Sequence, residues 1–174
     1  MYEYQTPHGH HQQTDIKRLL VLVCAFILLV AVGTVIYFWS NNQSPVPNQI
    51  KNSVSFPIYY PDQKHMPSGY VLDTKSFSNP LNKGVTYAVK YGNGQKIVFS
   101  VQPKPSDNEI QSFNSNYIPL RNHFQTPLGQ VEIGSYHEQT LGSFPIINGP
   151  WIIITAPHDI NQDQLKQVLG SLKS

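Results

Sequence analysis

A run of 21 residues without a charged side chain, from Leu19 to Trp39, constrains this chain more than any other feature. At about 1.5 Å per residue, a helix over this run would be roughly 31 Å long, which matches the hydrocarbon thickness of a bilayer. The run therefore predicts a transmembrane helix over residues 19–39.

The residues on either side of the run predict its orientation. Lys17 and Arg18 precede it, whereas Tyr37 and Trp39 lie at its far end, where aromatic rings favour the headgroup layer. Because positively charged flanks stay in the cytoplasm, residues 1–18 are predicted to be a cytoplasmic tail. No small-residue cleavage site follows the run, so the helix is expected to remain as a signal anchor of a single-pass membrane protein.

The rest of the chain has the size of one compact domain outside the cytoplasm. Residues 40–55 are rich in Asn, Gln, Ser and Pro and show no apolar period, which is typical of a flexible linker. Residues 56–174 are predicted to form the extracytoplasmic domain. The only cysteine, Cys24, lies in the apolar run, so no intrachain disulfide is expected. A charged fraction of 13% and scattered lysines argue against nucleic-acid binding.

The clearest local pattern is a β-hairpin formed by residues 85–91 and 95–102 around a Gly-Asn-Gly loop. A three-residue loop sets a register that puts three apolar pairs on one face: Val89 with Ile97, Tyr87 with Phe99, and Val85 with Val101. The same register puts Lys90 opposite Lys96 on the other face, a like-charge pair that solvent or an anionic neighbour must relieve.

Two helices are predicted from their capping residues and apolar spacing. Ser106 and Glu109 have the form of a capping box and precede a helix of about two turns. Near the C-terminus, Asn161 can cap an amphipathic helix. Its apolar positions are Leu165, Val168, Leu169 and Leu172.

Between these helices, two more antiparallel strands are expected. One lies within residues 124–136, and the other, over residues 151–154, is predicted to be buried on both faces. Strands joined in hairpins, without β-α-β alternation, predict an α+β domain with a mainly antiparallel sheet and the C-terminal helix packed on one face.

Three features together resemble a bacterial family of membrane-anchored extracytoplasmic domains of unknown function, over residues 56–172. These are the Pro-Ser-Gly-Tyr sequence at 67–70, the hairpin loop at 91–94, and the aromatic strand at Trp151 followed by the last helix. Members of that family are found near anti-sigma-factor-like and lipoprotein-carrier-like regions. The resemblance implies an extracytoplasmic sensing or binding domain, and it carries over no active-site residue.

Patterns of catalytic or metal-binding chemistry are incomplete. His137 and Glu138 begin like a zinc-protease H-E-x-x-H motif, but Leu141 stands in place of the second histidine. No nucleophile elbow is present. We therefore predict no catalytic, cofactor-binding or metal-binding residues and no enzymatic activity. The histidines at 65, 123, 137 and 158 are expected at the surface.

Two functional hypotheses remain from the sequence. In the first, the protein is a non-catalytic, membrane-anchored binding or regulatory domain that meets an envelope or membrane protein partner through Lys90 and Lys96. In the second, a pocket between the sheet and the C-terminal helix makes the protein a carrier of a small lipid or glycan, or an envelope enzyme. The second hypothesis predicts a cavity lined by aromatic side chains.

Overall fold

The computed structural model describes residues 23, 25–35, 44–80, 83–92, 94–119 and 121–174. The chain divides into two compact units, Met1–Ser44 and Pro45–Ser174, which are taken here one at a time. The predicted cytoplasmic tail, residues 1–18, lies outside the described residues.

In the first unit, the described residues from 25 to 35 form an α-helix with an apolar surface. Its large side chains are exposed on all sides of the helix, among them Phe26, Ile27, Leu28, Leu29 and Val35. Within the part of the chain that the structure describes, no helix reaches both the length and the hydropathy that a membrane crossing requires. The predicted span 19–39 also includes residues 19–22, 24 and 36–39, which lie outside that part.

The second unit is built on an antiparallel sheet. Its described strands are β2 (Val71–Ser78), β3 (Val85–Tyr91), β4 (Gln95–Gln102), β5 (Arg121–Thr126), β6 (Gly129–Tyr136), β7 (Gln139–Pro145) and β8 (Trp151–Pro157). They lie in the order β2-β3-β4-β8-β7-β6-β5, and every neighbouring pair is antiparallel. The chain thus forms a three-strand meander, β2–β4, and a four-strand meander, β5–β8, which meet where β4 pairs with β8. The predicted α+β class with a mainly antiparallel sheet is confirmed.

One face of the sheet holds the main core. Alternate residues of β3, β4 and β8, such as Val89, Phe99 and Ile154, are completely buried there. Helix α3 (Gln162–Gly170) contributes Leu165, Val168 and Leu169 to the same core, with Asn161 accepting hydrogen bonds from the first-turn amides as its N-cap. The predicted C-terminal helix is confirmed, and we call this side of the sheet the α3 face.

On the opposite face of the four-strand meander, α2 (Asp107–Tyr117) packs over β7 and β8. The predicted capping box is present, because Ser106 Oγ accepts from the Glu109 amide and Glu109 Oε2 accepts from the Ser106 amide at 2.9 Å. The helix runs three turns rather than two, and Phe113 packs edge-on against Trp151, with ring centroids 4.9 Å apart. We call this side the α2 face.

The segment before the sheet belongs to the same unit. Val46 is buried in the core, and the short helix α1 (Asn48–Lys51) follows it. Asn79 Nδ2 donates to Ser53 Oγ at 2.6 Å, which fixes the end of this segment against β2. Residues 45–55 of the predicted linker 40–55 thus pack with the domain, and residues 40–43 lie outside the described residues. A small second sheet pairs β1 (Tyr60–Pro61) with β9 (Leu172–Lys173).

The expectation of two strands between the helices was wrong, because residues 121–157 form four. The region taken as one strand, residues 124–136, is divided by a turn after Thr126, whose hydroxyl donates to Gly129 O and accepts from the Leu128 amide. Gly129 has a φ of 138°, which side-chain-bearing residues rarely adopt. The last strand, β8, is buried on its α3 face but only partly on its α2 face, where Ile153 and Thr155 are half-buried.

Candidate binding surface

The hairpin of β3 and β4 positions the two lysines singled out in the sequence. Its ladder pairs Tyr91 with Gln95 and continues in unbroken register, so the predicted pairing is confirmed and Lys90 lies directly opposite Lys96. Both lysines are exposed on the α2 face. Cross-strand neighbours have Cβ atoms about 5 Å apart, so the two ammonium groups share one patch of surface.

An anionic neighbour for Lys90 comes from β2, the edge strand beside it. Asp73 Oδ2 lies 2.8 Å from Lys90 Nζ, and the Asp73 side chain is only 16% exposed. The hydrogen bond from Lys90, with its positive charge, lowers the pKa of the Asp73 carboxyl below its ordinary value of 3.8. Among the described carboxylates, none lies within ion-pair distance of Lys96, although the charge of Lys96 also helps to lower the pKa of the Asp73 carboxyl.

A bulge in β2 keeps Asp73 in this position. The pairing of β2 with β3 is regular from Val71 to Asp73 and then shifts before Ser78. Ser76 fills the irregularity, because its hydroxyl donates to Asp73 O at 2.6 Å and accepts from the Ala88 amide at 2.8 Å. The backbone that carries Asp73 is therefore held by side-chain hydrogen bonds rather than by the ladder alone.

Two valines give this region an apolar part. Val71 pairs with Lys90 and is 54% exposed, and Val98 pairs with Ala88 and is 40% exposed. Exposed valines adjoining lysines on one rigid sheet make an amphipathic basic patch. We define the hairpin surface as Val71, Asp73, Lys90, Lys96 and Val98.

The rigid support of the hairpin surface lies on the other side of the sheet. Tyr91, at the end of β3, stacks on Tyr70 with parallel rings 4.8 Å apart, and the Tyr70 hydroxyl donates to Gln164 of α3 at 3.1 Å. Burial raises the pKa of both tyrosine hydroxyls, so both rings stay uncharged at neutral pH. The tip of the hairpin is thus attached to the C-terminal helix.

Charge is distributed unevenly along the domain. Residues 71–104, which form the three-strand meander and its flanks, contain five lysines and one carboxylate, Asp73. Residues 105–174 contain three cationic residues, Arg121, Lys166 and Lys173, against six carboxylates. The hairpin surface therefore lies in the basic part of the domain.

The pocket expected between the sheet and the C-terminal helix has a modest counterpart. A cleft of about 360 Å³ lies between β5, β6 and α3, with Phe124 as its aromatic ring. Lys166 Nζ lies 5.9 Å from the centre of that ring, and Arg121 Nε pairs with Glu132 Oε2 at 2.7 Å. The lining is completed by polar and apolar residues from all three elements, namely Asn122, His123, Ile133 and Gln162.

Most aromatic residues considered for a ligand groove are core residues. Tyr60, Tyr70, Tyr87, Phe99 and Trp151 are buried. Two further clefts, of about 520 and 500 Å³, lie along the residue 53–56 segment and beside β9. Both are shallow surface features.

The four domain histidines are exposed, as expected: His65, His123, His137 and His158. His137 and Glu138 form the turn between β6 and β7, and His137 has a positive φ of 53°. Within the described residues, no group of three or more potential metal ligands is clustered.

Sequence reasoning found the lysines but missed Asp73, Val71 and Val98. A signal for Asp73 and Val71 was present, because they flank Leu72 in β2. Leu72 is buried, and successive residues of a strand point to opposite faces. What the sequence did not show is that β2 pairs with β3 at Lys90.

No family model, curated protein or solved structure matches this chain, so any function must be argued from the geometry of its own residues.

Proposed function

We propose that this protein is a single-pass membrane protein whose non-catalytic extracytoplasmic domain binds a partner through the hairpin surface. The observation that carries the anchoring is the helix at residues 25–35, whose apolar side chains are exposed on every side. A helix that is hydrophobic all round is stable in lipid or in a protein core, and the exposed side chains favour lipid.

Orientation follows from the charges beside the anchor. Lys17 and Arg18 precede the apolar run, and no Lys or Arg occurs again before Lys51. The positive-inside rule then puts the N-terminus in the cytoplasm and Pro45–Ser174 outside it.

The binding role is supported by what the hairpin surface exposes. Most apolar side chains of the sheet are buried, whereas Val71 and Val98 lie open beside two lysines, only one of which has a carboxylate partner. Exposed apolar side chains bordered by charged groups are one feature of interaction sites, and this combination supports the proposed contact surface.

The topology can be tested with single-cysteine variants in a Cys24→Ser background. A cysteine introduced at the exposed Asn108 in the domain should react with a membrane-impermeant maleimide in intact cells, whereas one at Thr6 should react only after permeabilisation. The protein should remain with membranes during alkaline extraction, and deletion of residues 19–39 should abolish that retention. Equal labelling of both positions in intact cells, or release by alkali, would refute the proposed anchoring.

The contact surface can be tested by in-cell crosslinking and mass spectrometry of the proteins and lipids that accompany the full-length chain. The variant Lys90→Glu/Lys96→Glu should lose the crosslinked species. The variant Lys64→Glu/Lys104→Glu, with the same change in net charge at exposed positions elsewhere, should keep it. Crosslinks that persist unchanged in the first variant would exclude the hairpin surface.

A second candidate function rests on the cleft between β5, β6 and α3. Its Phe124 ring and the two cationic side chains Arg121 and Lys166 fit a small anionic ligand with an apolar part, which agrees with the carrier hypothesis. It ranks second because Arg121 and Lys166 already pair with Glu132 and Asp163. A lipid or glycan that purifies with the wild-type protein but not with Phe124→Ala would favour this function, and identical lipid content in both would exclude it.

A further inference from the structure

We propose that the hairpin surface docks on the anionic headgroup layer of the membrane that anchors the protein. This inference rests on the proposed function, since it requires the anchor, and it names lipid as the partner. Its ligand is a bilayer surface carrying negatively charged headgroups, rather than one lipid molecule held in a pocket.

The chemistry of the surface fits an interface between water and lipid. Lys90 and Lys96 have long side chains that can reach phosphate oxygens, while Val71 and Val98 lie beside them on the same sheet face. Basic residues interleaved with exposed apolar residues are the combination by which proteins associate with anionic membrane surfaces.

The like-charge pair adds a reason for an anionic occupant. Lys90 and Lys96 lie directly opposite each other, and Asp73 contacts only Lys90 among the two. Phosphate groups beside Lys96 would relieve the remaining repulsion. Lys75 also lies on the neighbouring β2 and is exposed, which extends the positive potential along the edge strand.

The length of the connecting chain allows the contact. Only residues 40–44 separate the predicted span from Pro45, where the compact unit begins, and five residues cover at most about 18 Å. Because the Debye length at physiological salt is about 8 Å, docking requires the lysines to approach the headgroups to about that distance.

The test uses full-length protein in nanodiscs of either neutral phosphatidylcholine or phosphatidylcholine mixed with phosphatidylglycerol. In a Cys24→Ser background, a fluorophore is attached through Val98→Cys, and in a control protein through Gln167→Cys, an exposed position on α3. Quenching by headgroup-attached nitroxide lipid reports docking. We expect stronger quenching at position 98 in anionic than in neutral discs, little change at position 167, and loss of the difference at high salt.

The charge-reversal variant Lys90→Glu/Lys96→Glu should lower the docked-to-undocked ratio about tenfold or more, since each lysine near such a surface contributes measurably. The matched variant Lys64→Glu/Lys104→Glu, at two exposed lysines outside both candidate sites, should leave the ratio near the wild-type value. Equal quenching at position 98 in both lipids, or an equal loss in the matched variant, would overturn the inference.

The same experiment separates this inference from the anchoring on which it rests. If the full-length chain fails to enter neutral nanodiscs, the proposed anchor is wrong and docking is wrong with it. If the chain enters both kinds of disc but position 98 is insensitive to lipid charge, the anchor stands and the docking surface is refuted. Crosslinking of position 98 to a protein in cells, without lipid-dependent quenching in the discs, would also refute lipid as the partner.

Discussion

The two meanders share one sheet and one core, yet their α2 faces are in opposite environments. On β7 and β8 the face is covered by α2, and Ser143 there is completely buried. On β2–β4 the same face exposes Val71 and Val98 between lysines. Ser100 and Ser143 make the difference plain, because both pair with Ile153 on either side of β8, one half-buried and the other fully buried. The same face of one sheet is thus buried under a helix in one half and open for contact in the other.

The largest expected effect comes from removing the aromatic side chain that joins α2 to the sheet. Trp151→Ala should destabilise the domain by about 3–5 kcal/mol, because it removes a buried ring that packs against Phe113. Val98→Ala, on the open half of the same face, should cost less than about 1 kcal/mol. Urea unfolding of the full-length variants, followed by circular dichroism, measures both. Similar losses for the two would mean that the open half is also part of the core.

Substitutions of Ser100 and Ser143 compare the open and the covered half of the face without a large change of side-chain volume. Trp151 Nε1 donates to Ser143 Oγ at 3.0 Å, so Ser143→Ala leaves a buried donor unpaired and should cost about 1–3 kcal/mol. Ser100→Ala should change stability by no more than about 0.5 kcal/mol. The difference between the two unfolding midpoints is the measurement, and equal midpoints would show that burial under α2 adds nothing to this hydrogen bond.

A smaller effect is expected from acid titration of the hairpin surface. Because Lys90 lowers the pKa of the Asp73 carboxyl below 3.8, their pairing contributes stability that is present above that pH and lost as the pH falls through the folded pKa. Asp73→Asn should therefore be less stable than wild type at pH 6, and the two should converge as the pH falls below about 3.8. A constant difference from pH 6 to pH 3 would contradict the pairing.

The smallest effect concerns the like-charge pair. Lys96→Glu places opposite charges across the ladder from Lys90 and should stabilise the domain by about 0.2–1 kcal/mol, less at high salt. The same substitution should weaken docking on anionic nanodiscs. Stability and docking that fall together in this variant would mean that the substitution disturbs the fold and not only the surface.

Local patterns in the sequence predicted the elements whose contacts are close in the chain. The hairpin register followed from the loop length and the apolar alternation of β3 and β4, and it is observed pair for pair. The Ser106 capping box and the Asn161 cap also appear where they were expected. The number of strands after α2 did not. The first turn carries Pro127 and Gly129, which favour a turn, but the second turn, at His137 and Glu138, contains neither Gly nor Pro.

For the candidate site, the sequence supplied Lys90 and Lys96, and the structure supplied their neighbours. Asp73 reaches Lys90 only because β2 lies antiparallel to β3 with a bulge after Asp73. Val71 and Val98 could have been assigned to the core or to the surface, since valine is common in both. Their exposure depends on where α2 lies, and no local sequence pattern predicts the position of α2 on the sheet.

By itself, the sequence determined the uncharged 21-residue run, the hairpin register, the helix caps and the α+β class, because each depends on residues within a few positions of one another. The tertiary structure alone decided that β4 pairs with β8, that α2 covers one meander, and that Asp73 meets Lys90. These contacts join residues far apart in the chain, and they are selected by the packing of the whole core rather than by local propensity.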